Sequence, residues 1–291
     1  MISLAPEHQF VNAGSIRLHV VQAGPAEGKP VMLLHGFPDF WIGWRRQIRT
    51  LASAGYRVIV PDQRGYNTSD KPEGIHEYTL PKLLGDVVAL ADALGIGRFH
   101  LVGHDWGGIV AWAAGANLPH RLDKLVILNA PHPEVLFTHA LRSPTQFLRS
   151  SYAVFFQIPL LPEAVLGARR SALLARALRT SSRAGAFEEE EIAEYRQAWE
   201  RPGALTNMLN WYRALRFRPS LKERITTPTL VIWGMRDQAL ESGLAKRSLA
   251  LCDDGRLQTF EKGTHWVQRE ESNEVNAGFW RSWRAEELKN G

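Results

Sequence analysis

An aspartate stands between two glycines in a segment typical of a turn from a strand into a helix. Asp105 follows the apolar run Phe99–Val102 and lies between Gly103 and Gly107, in the arrangement Gly-x-Asp-x-Gly. This is the pattern of a nucleophile elbow with aspartate in the usual serine position. Such a turn is strained, and a side chain two positions away would collide with it. Asp105 is therefore a candidate covalent nucleophile, although an aspartate that merely caps a helix would also suit this position.

Two later residues supply the partners that a carboxylate nucleophile needs. Asp237 follows the strand-like run Thr229–Trp233, and His265 follows the short run Leu257–Phe260. Nucleophile, acid and histidine occur in this chain order in one large class of catalytic triads. We expect Asp237 to orient His265, which then acts as the base. This order favours the catalytic interpretation of Asp105 over the capping one.

The loop His35–Pro38 follows the strand-like run Val31–Leu34, where such enzymes form an oxyanion hole. The backbone N–H groups of Phe37 and Trp106 are predicted to stabilise the negative oxygen of a tetrahedral intermediate. A carboxylate attacking an acyl group forms an anhydride, whereas one attacking a saturated carbon forms an ester. The predicted substrate is therefore an epoxide or an alkyl halide, and water activated by His265 would hydrolyse the ester.

The elements that position these residues alternate along the chain. Short apolar runs without polar alternation indicate strands covered on both faces, hence a mostly parallel sheet. They are Ile16–Val21, Val31–Leu34, Val58–Val60, Phe99–Val102, Leu125–Leu128 and Thr229–Trp233. Helical stretches separate them, so we predict an α/β fold with a doubly wound sheet.

The alternation stops in the middle of the chain. From residue 134 to residue 220 we find no clean strand, and the composition favours several short helices punctuated by prolines. We therefore predict a core formed by residues 1–133 and 221–291, with residues 134–220 inserted as a helical cap.

Seven segments together resemble the soluble epoxide hydrolases of the α/β-hydrolase superfamily, over nearly the whole chain. They are His35–Trp44, Pro61–Pro72, Gly103–Gly108, Asn129–Pro133, Arg201–Thr206, Asn210–Arg213 and His265–Gln268. The resemblance implies an α/β-hydrolase fold and two cap tyrosines that donate to the epoxide oxygen. Tyr152, four residues before Phe156, matches one tyrosine, and Tyr212 in Asn-Trp-Tyr-Arg matches the other. Leu160 follows Pro159 where the family often has glycine, which predicts a different cap loop there.

Two related enzyme classes and one non-enzymatic class are alternatives. Haloacetate dehalogenases resemble the same core but have arginine after the nucleophile, where this chain has Trp106. Many haloalkane dehalogenases have asparagine at the position of Phe37. A non-enzymatic receptor with the same fold is disfavoured by the intact triad and the two tyrosines. We also predict that Trp41, Phe155 and Phe156 line an apolar substrate pocket.

Composition and charge limit the partners. The chain has 291 residues and a net charge of +5, with excess arginine between Arg142 and Arg183. No nucleic-acid motif accompanies these arginines, so we interpret them as a solvated helical face. We see no signal peptide, and the apolar stretch Ser150–Pro162 is too short to span a bilayer. We expect a cytoplasmic enzyme with a small apolar epoxide and water as substrates. We expect no cofactor, metal, nucleic acid or membrane partner, and monomer and homodimer both stay open.

Overall fold

The strands of the sheet form where the apolar runs predict them. A computed structural model describes residues 5–217, 221 and 224–284 of the chain. The described residues form an eight-stranded sheet. Its strands are β1 (Glu7–Ala13), β2 (Ile16–Ala23), β3 (Pro30–Leu34), β4 (Arg57–Pro61), β5 (Phe99–His104), β6 (Leu122–Leu128), β7 (Thr229–Gly234) and β8 (Gly255–Phe260). β1 was not predicted, because its side chains are mostly exposed and it carries no apolar run.

The order of strands brings the catalytic candidates to one edge of the sheet. The strands lie in the order β1-β2-β4-β3-β5-β6-β7-β8. Pairing is antiparallel between β1 and β2 and between β2 and β4, and parallel elsewhere. His104 pairs with Leu128, and Leu128 pairs with Ile232, so neighbouring strands end at one level. The loops that follow them therefore meet above the same edge.

Helices cover both faces of this sheet, and further helices lie between β6 and β7. They are α1 (Arg45–Ser53), α2 (Leu80–Ala93), α3 (Trp106–Asn117), α4 (Pro133–Ala140), α5 (Pro144–Arg149), α6 (Ser151–Phe155), α7 (Leu161–Thr180), α8 (Glu189–Trp199), α9 (Ala204–Arg213), α10 (Gly243–Leu249), α11 (Val267–Glu270) and α12 (Ser272–Arg284). Short 3₁₀ helices span Trp41–Trp44, Ile75–Tyr78, Pro119–Arg121 and Ala214–Phe217. Every residue of β5 and β7 is buried, as expected for strands packed on both sides. The doubly wound α/β fold class predicted from the sequence is confirmed.

The helical elements α4 to α9 lie between β6 and β7 in the chain, and non-helical backbone at residues 168–171 divides α7 into two parts. The described residues of this stretch contain no strand. We call residues 133–217 the helical insertion. It contacts the core through specific hydrogen bonds, since the indole of Trp199 donates to the carbonyl of Pro38 at 2.6 Å and Trp211 donates to Arg64 at 3.1 Å. The division at residues 133/134 and 220/221 stays a prediction, and residues 218–220 lie outside the described part. In that described part no helix combines the length and apolar character needed to cross a bilayer.

Candidate active site

Asp105 occupies the tight turn between β5 and α3, with backbone angles φ 51° and ψ −120°. The flanking glycines have no room for a side chain. A Cβ on Gly103 would lie 2.3 Å from the carbonyl oxygen of Gly107, and a Cβ on Gly107 would lie 2.2 Å from that of Leu34. A Cβ on Gly36 would lie 2.3 Å from the Cβ of Asp105 itself. The sequence pattern thus has the steric cause expected of an elbow.

The structure brings His265 between the two predicted carboxylates. Its Nδ1 lies 2.7 Å from Oδ2 of Asp237, and its Nε2 lies 3.5 Å from Oδ2 of Asp105. His265 and Asp237 are buried, at 7% and 4% exposed, and the side chain of Asp105 is 17% exposed towards the cavity it lines. The arrangement of acid, histidine and nucleophile expected from the sequence is therefore present in the geometry.

The electrostatics of these three groups are coupled. Burial by itself raises the pKa of Asp105, but the hydrogen bond and positive charge of His265 outweigh it and lower that pKa. The pKa of Asp237 is lowered in the same way, against burial, by the charge of His265. Burial opposes the charged form of His265, yet the two carboxylates raise its pKa to about 10. Asp105 is consequently an ionised carboxylate at neutral pH, as a nucleophile must be.

The predicted oxyanion loop contacts the candidate nucleophile directly. The backbone N–H of Phe37 donates a hydrogen bond to Oδ1 of Asp105 at 2.8 Å. Trp106 is the first residue of α3 and follows Asp105 directly. Oδ1 is thus already held by one of the two predicted donors, and Oδ2 is the oxygen that faces His265. The second donor, the N–H of Trp106, stays a prediction.

Two residues of the site were missed by the sequence reasoning. Asn129, after β6, donates from Nδ2 to Oδ2 of Asp237 at 2.7 Å and accepts from the N–H of Gly234 at 3.0 Å. His104 is fully buried beside Asp105, and its Nε2 donates to the carbonyl of His265 at 2.8 Å. The available signal for Asn129 is its place directly after β6, at the sheet edge where Asp105 and Asp237 also lie.

The two predicted tyrosines of the helical insertion line the same cavity as Asp105. Tyr212 is 5% exposed, and its ring centroid lies 5.0 Å from that of Trp106 and 5.3 Å from that of Phe37. The ring of Tyr152 lies 5.8 Å from that of Tyr212. Tyr152 is 38% exposed, and desolvation of its phenol, followed by the negative charge of Asp105, raises the pKa of that phenol above its usual range. Burial also raises the pKa of Tyr212. Both phenols are therefore protonated donors at neutral pH.

One cavity of about 900 Å³ connects the core and the insertion. Asp105, His265, Tyr152 and Tyr212 line it together with many apolar side chains. Phe155 and Phe156 line it as predicted, but Trp41 does not. Trp41 instead begins a 3₁₀ helix and packs against His8, with a ring distance of 4.9 Å, and against the guanidinium of Arg45. Its assignment to the pocket was wrong because the sequence gives no side-chain direction.

The described side chains do not include a group of three or more histidine, cysteine, aspartate or glutamate residues suited to hold a metal ion. The cavity presents the carboxylate, imidazole and phenols described above. These groups have the chemistry of a nucleophile, a base with an orienting acid, and two hydrogen-bond donors.

Comparison with known proteins agrees with this geometry. A family model described as the alpha/beta hydrolase fold matches residues 29–272. The chain belongs to the α/β-hydrolase family. This α/β-hydrolase is 46% identical to the AB hydrolase superfamily protein YfhM of Bacillus subtilis, over 92% of this chain and 94% of that protein. It is 38% identical to mouse epoxide hydrolase 4, over 93% of this chain and 77% of the relative.

The three-dimensional structure is also similar to that of a solved protein. The α/β-hydrolase superposes on an epoxide hydrolase from Bacillus megaterium in complex with an inhibitor, with a TM-score of 0.88 and 26% sequence identity. The match covers 94% of this chain and 99% of that one. These matches assign the α/β-hydrolase to the epoxide hydrolase branch, as its motifs predicted, and to the hydrolase class of enzymes.

Proposed function

We propose that the chain hydrolyses an apolar epoxide to a vicinal diol through a covalent ester on Asp105. One observation carries the proposal: Asp105 and the two tyrosines line the same largely apolar cavity. An epoxide needs a nucleophile on one side of the ring and a proton donor for the oxygen on the other, and this cavity offers both. The relatives named epoxide hydrolases support the same assignment.

The first step is ring opening. Oδ2 of Asp105 attacks a ring carbon, the bond from that carbon to the epoxide oxygen breaks, and its electron pair goes to the oxygen. That oxygen takes a proton from Tyr152 or Tyr212, whose raised pKa values keep them protonated until alkoxide charge develops. Oδ1 becomes the carbonyl oxygen of the ester, since the N–H of Phe37 already holds it.

The second step is hydrolysis of that ester. Esterification removes the negative charge of Asp105, one of the two charges that raise the pKa of His265. The imidazolium then gives up its proton more readily. The tyrosinate left by ring opening takes that proton, and the neutral imidazole becomes the base. It takes a proton from water, whose oxygen attacks the Asp105 carbonyl carbon while Phe37 N–H stabilises the oxyanion. Collapse breaks the acyl bond to the diol oxygen, which takes that proton from His265. The carboxylic acid formed on Asp105 then gives its proton to the imidazole, so the starting carboxylate and imidazolium are restored.

The same nucleophile would also displace halide, so the decisive test compares leaving groups. The purified protein is incubated separately with a styrene-type epoxide, a bromoalkane and fluoroacetate, and diol and halide are quantified. The proposal expects diol from the epoxide and no halide above the Asp105→Ala control. Halide release without diol formation would reassign the site to dehalogenation.

A trapped intermediate tests the route. In His265→Gln the base is removed while Asp105 and the tyrosines stay, so ester is expected to form and persist. Intact-mass spectrometry is expected to show one added epoxide mass, and peptide mapping to locate it on Asp105. A verified substrate that leaves the variant unmodified contradicts the covalent route.

A further inference from the structure

The loop after Asp237 is held from two sides. On its inner side, the N–H groups of Ala239 and Leu240 donate to Oδ1 of Asp237 at 2.8 and 3.0 Å. On its outer side it meets Gln146 of α5 in the helical insertion. Nε2 of Gln146 donates to the carbonyl of Ala239 at 2.9 Å, and Oε1 accepts from the N–H of Glu241 at 2.9 Å. The catalytic acid and the insertion thus share one short stretch of backbone.

Gln146 and Asp237 are connected through a single peptide group of the loop. The carbonyl of Ala239 and the N–H of Leu240 belong to the same planar unit, in which they point in opposite directions. Gln146 bonds that carbonyl, and Asp237 accepts from that N–H. A hydrogen bond to a peptide carbonyl polarises the unit and strengthens its N–H as a donor. The orientation of this peptide therefore depends on Gln146 and sets a contact to the carboxylate that orients His265.

Arg149, at the end of α5, reinforces the same loop. Its Nη1 donates to the carbonyl of Asp237 at 3.1 Å and to the carbonyl of Leu240 at 3.3 Å. The second carbonyl shares its peptide unit with the N–H of Glu241, which donates to Gln146. Each of the two peptide units after Ala239 therefore has a partner from α5.

The amide of Gln146 is suited to these two hydrogen bonds with the loop after Asp237. The side chain is 0% exposed, and a buried amide is unfavourable unless its polar atoms are paired. Both are paired, since Nε2 also donates to Oγ of Ser150 at 3.0 Å. A side chain needed only for packing would be apolar. Here the two oriented bonds go to the loop of the catalytic acid.

We propose that Gln146 and Arg149 are positioning residues for the Asp237–His265 pair, so that ester hydrolysis depends on how α5 docks on the acid loop. The inference rests on the proposed function, because it assigns these residues to the second of its two steps. Ring opening needs Asp105 and the tyrosines but not Asp237. Loss of either contact is therefore expected to slow hydrolysis and to spare ring opening.

The test measures the two steps separately in the full-length protein. Ester formation is followed by rapid quench and intact-mass spectrometry under single-turnover conditions, and its decay gives the hydrolysis rate. In Gln146→Leu and Arg149→Met we expect hydrolysis to slow about 10- to 100-fold, as when groups that orient a catalytic ligand are lost. Ester formation is expected to stay within about twofold, so the fraction of esterified enzyme at steady state rises. Arg149→Lys is expected to restore part of the rate.

Leu148→Ala is the matched control, because Leu148 lies on the same helix and is 68% exposed. It is expected to leave both steps unchanged. Equal slowing of both steps in the variants, or unchanged hydrolysis in a folded Arg149→Met, overturns the inference. Arg149 is exposed, so that variant decides the matter if Gln146→Leu does not fold. If the unmodified enzyme forms no ester with a substrate that it consumes, the proposed function fails rather than this inference.

Discussion

The carboxylate of Asp237 in the core accepts hydrogen bonds from His265, Asn129 and two backbone N–H groups. Tyr212 in the helical insertion instead lies among aromatic rings. Hydrogen bonds fix the direction of the acid, and loss of one leaves a buried group unpaired. Ring packing fixes mainly the volume available to the phenol, and it tolerates changes of similar size. The carboxylate of Asp237 is therefore held by polar contacts, and the phenol of Tyr212 is held mainly by the shape of its aromatic surroundings.

The largest effect is expected from removal of the proposed nucleophile, Asp105. Asp105→Ala is expected to lower kcat with an epoxide by about 10⁴-fold or more, since loss of a nucleophile that acts in concert with its base has effects of this order. Turnover is measured as diol formation, with circular dichroism to verify the fold. Residual activity within tenfold of the unmodified enzyme would show that the core supplies no covalent step.

The insertion's contribution is tested by removing one hydroxyl. Tyr212→Phe keeps the ring and its packing but deletes the donor, and we expect a loss of about 10²–10³ in the rate of ring opening. Single-turnover ester formation measures this step. Tyr152→Phe is the comparison variant, and a larger loss there would make Tyr152 the principal donor. An unchanged rate in both variants would remove proton donation from the insertion altogether.

Asn129→Ala tests the polar network of the core without touching a reacting group. It leaves Oδ2 of Asp237 with one donor fewer and the N–H of Gly234 unpaired. We expect ester hydrolysis to slow about tenfold and the free energy of unfolding to fall by about 1–3 kcal/mol. Urea unfolding and ester decay give the two values. A loss of stability with normal decay would make Asn129 a purely structural residue.

The electrostatics of the core are tested by the pH dependence of stability. The folded pKa of His265 is raised from 6.5 to about 10, so its stabilising charge is fully present below pH 6.5 and is lost as pH rises towards 10. The lowered pKa values of Asp105 and Asp237 act oppositely, contributing stability above about pH 4 that is lost on acidification.

We therefore expect the free energy of unfolding to decline between pH 6.5 and 10, and to decline less in His265→Gln. Urea unfolding of both proteins at several pH values measures the difference. Titrating groups outside the coupled set Asp105, Asp237 and His265 are shared by the two proteins and cancel in the comparison. Parallel declines in the two proteins would contradict a raised pKa of His265.

Local patterns in the sequence predict the elbow because its two glycines flank Asp105 within five residues. The steric reason for Gly103 acts within the turn, at the carbonyl of Gly107, whereas Gly107 is required by the carbonyl of Leu34 at the end of β3. The apolar runs likewise predict buried strands, since each strand is covered on both faces. β1 escaped prediction because its exposed side chains leave no such signature.

Contacts between residues that are distant in the chain could not be predicted from the sequence. Asn129 and Asp237 are 108 positions apart, and neither carries a local pattern that joins them. Trp41 was assigned to the pocket by type, but its side chain turns towards His8 on β1, the strand that was not foreseen. Such contacts depend on strand order and side-chain direction, which periodicity does not encode. The tyrosines were found only through the resemblance to a family.

The helical insertion lies in the chain between β6 and β7, and these two strands are parallel neighbours in the sheet. Exchange of this segment between relatives would leave the sheet register and the elbow untouched while replacing both phenols. Under the proposed mechanism, the donors to the leaving oxygen can therefore change between relatives while the nucleophile stays the same. If Gln146 and Arg149 position the Asp237 loop as proposed, a transplanted insertion has to present an amide and a guanidinium to that loop, which makes this contact the point of compatibility between recombined parts.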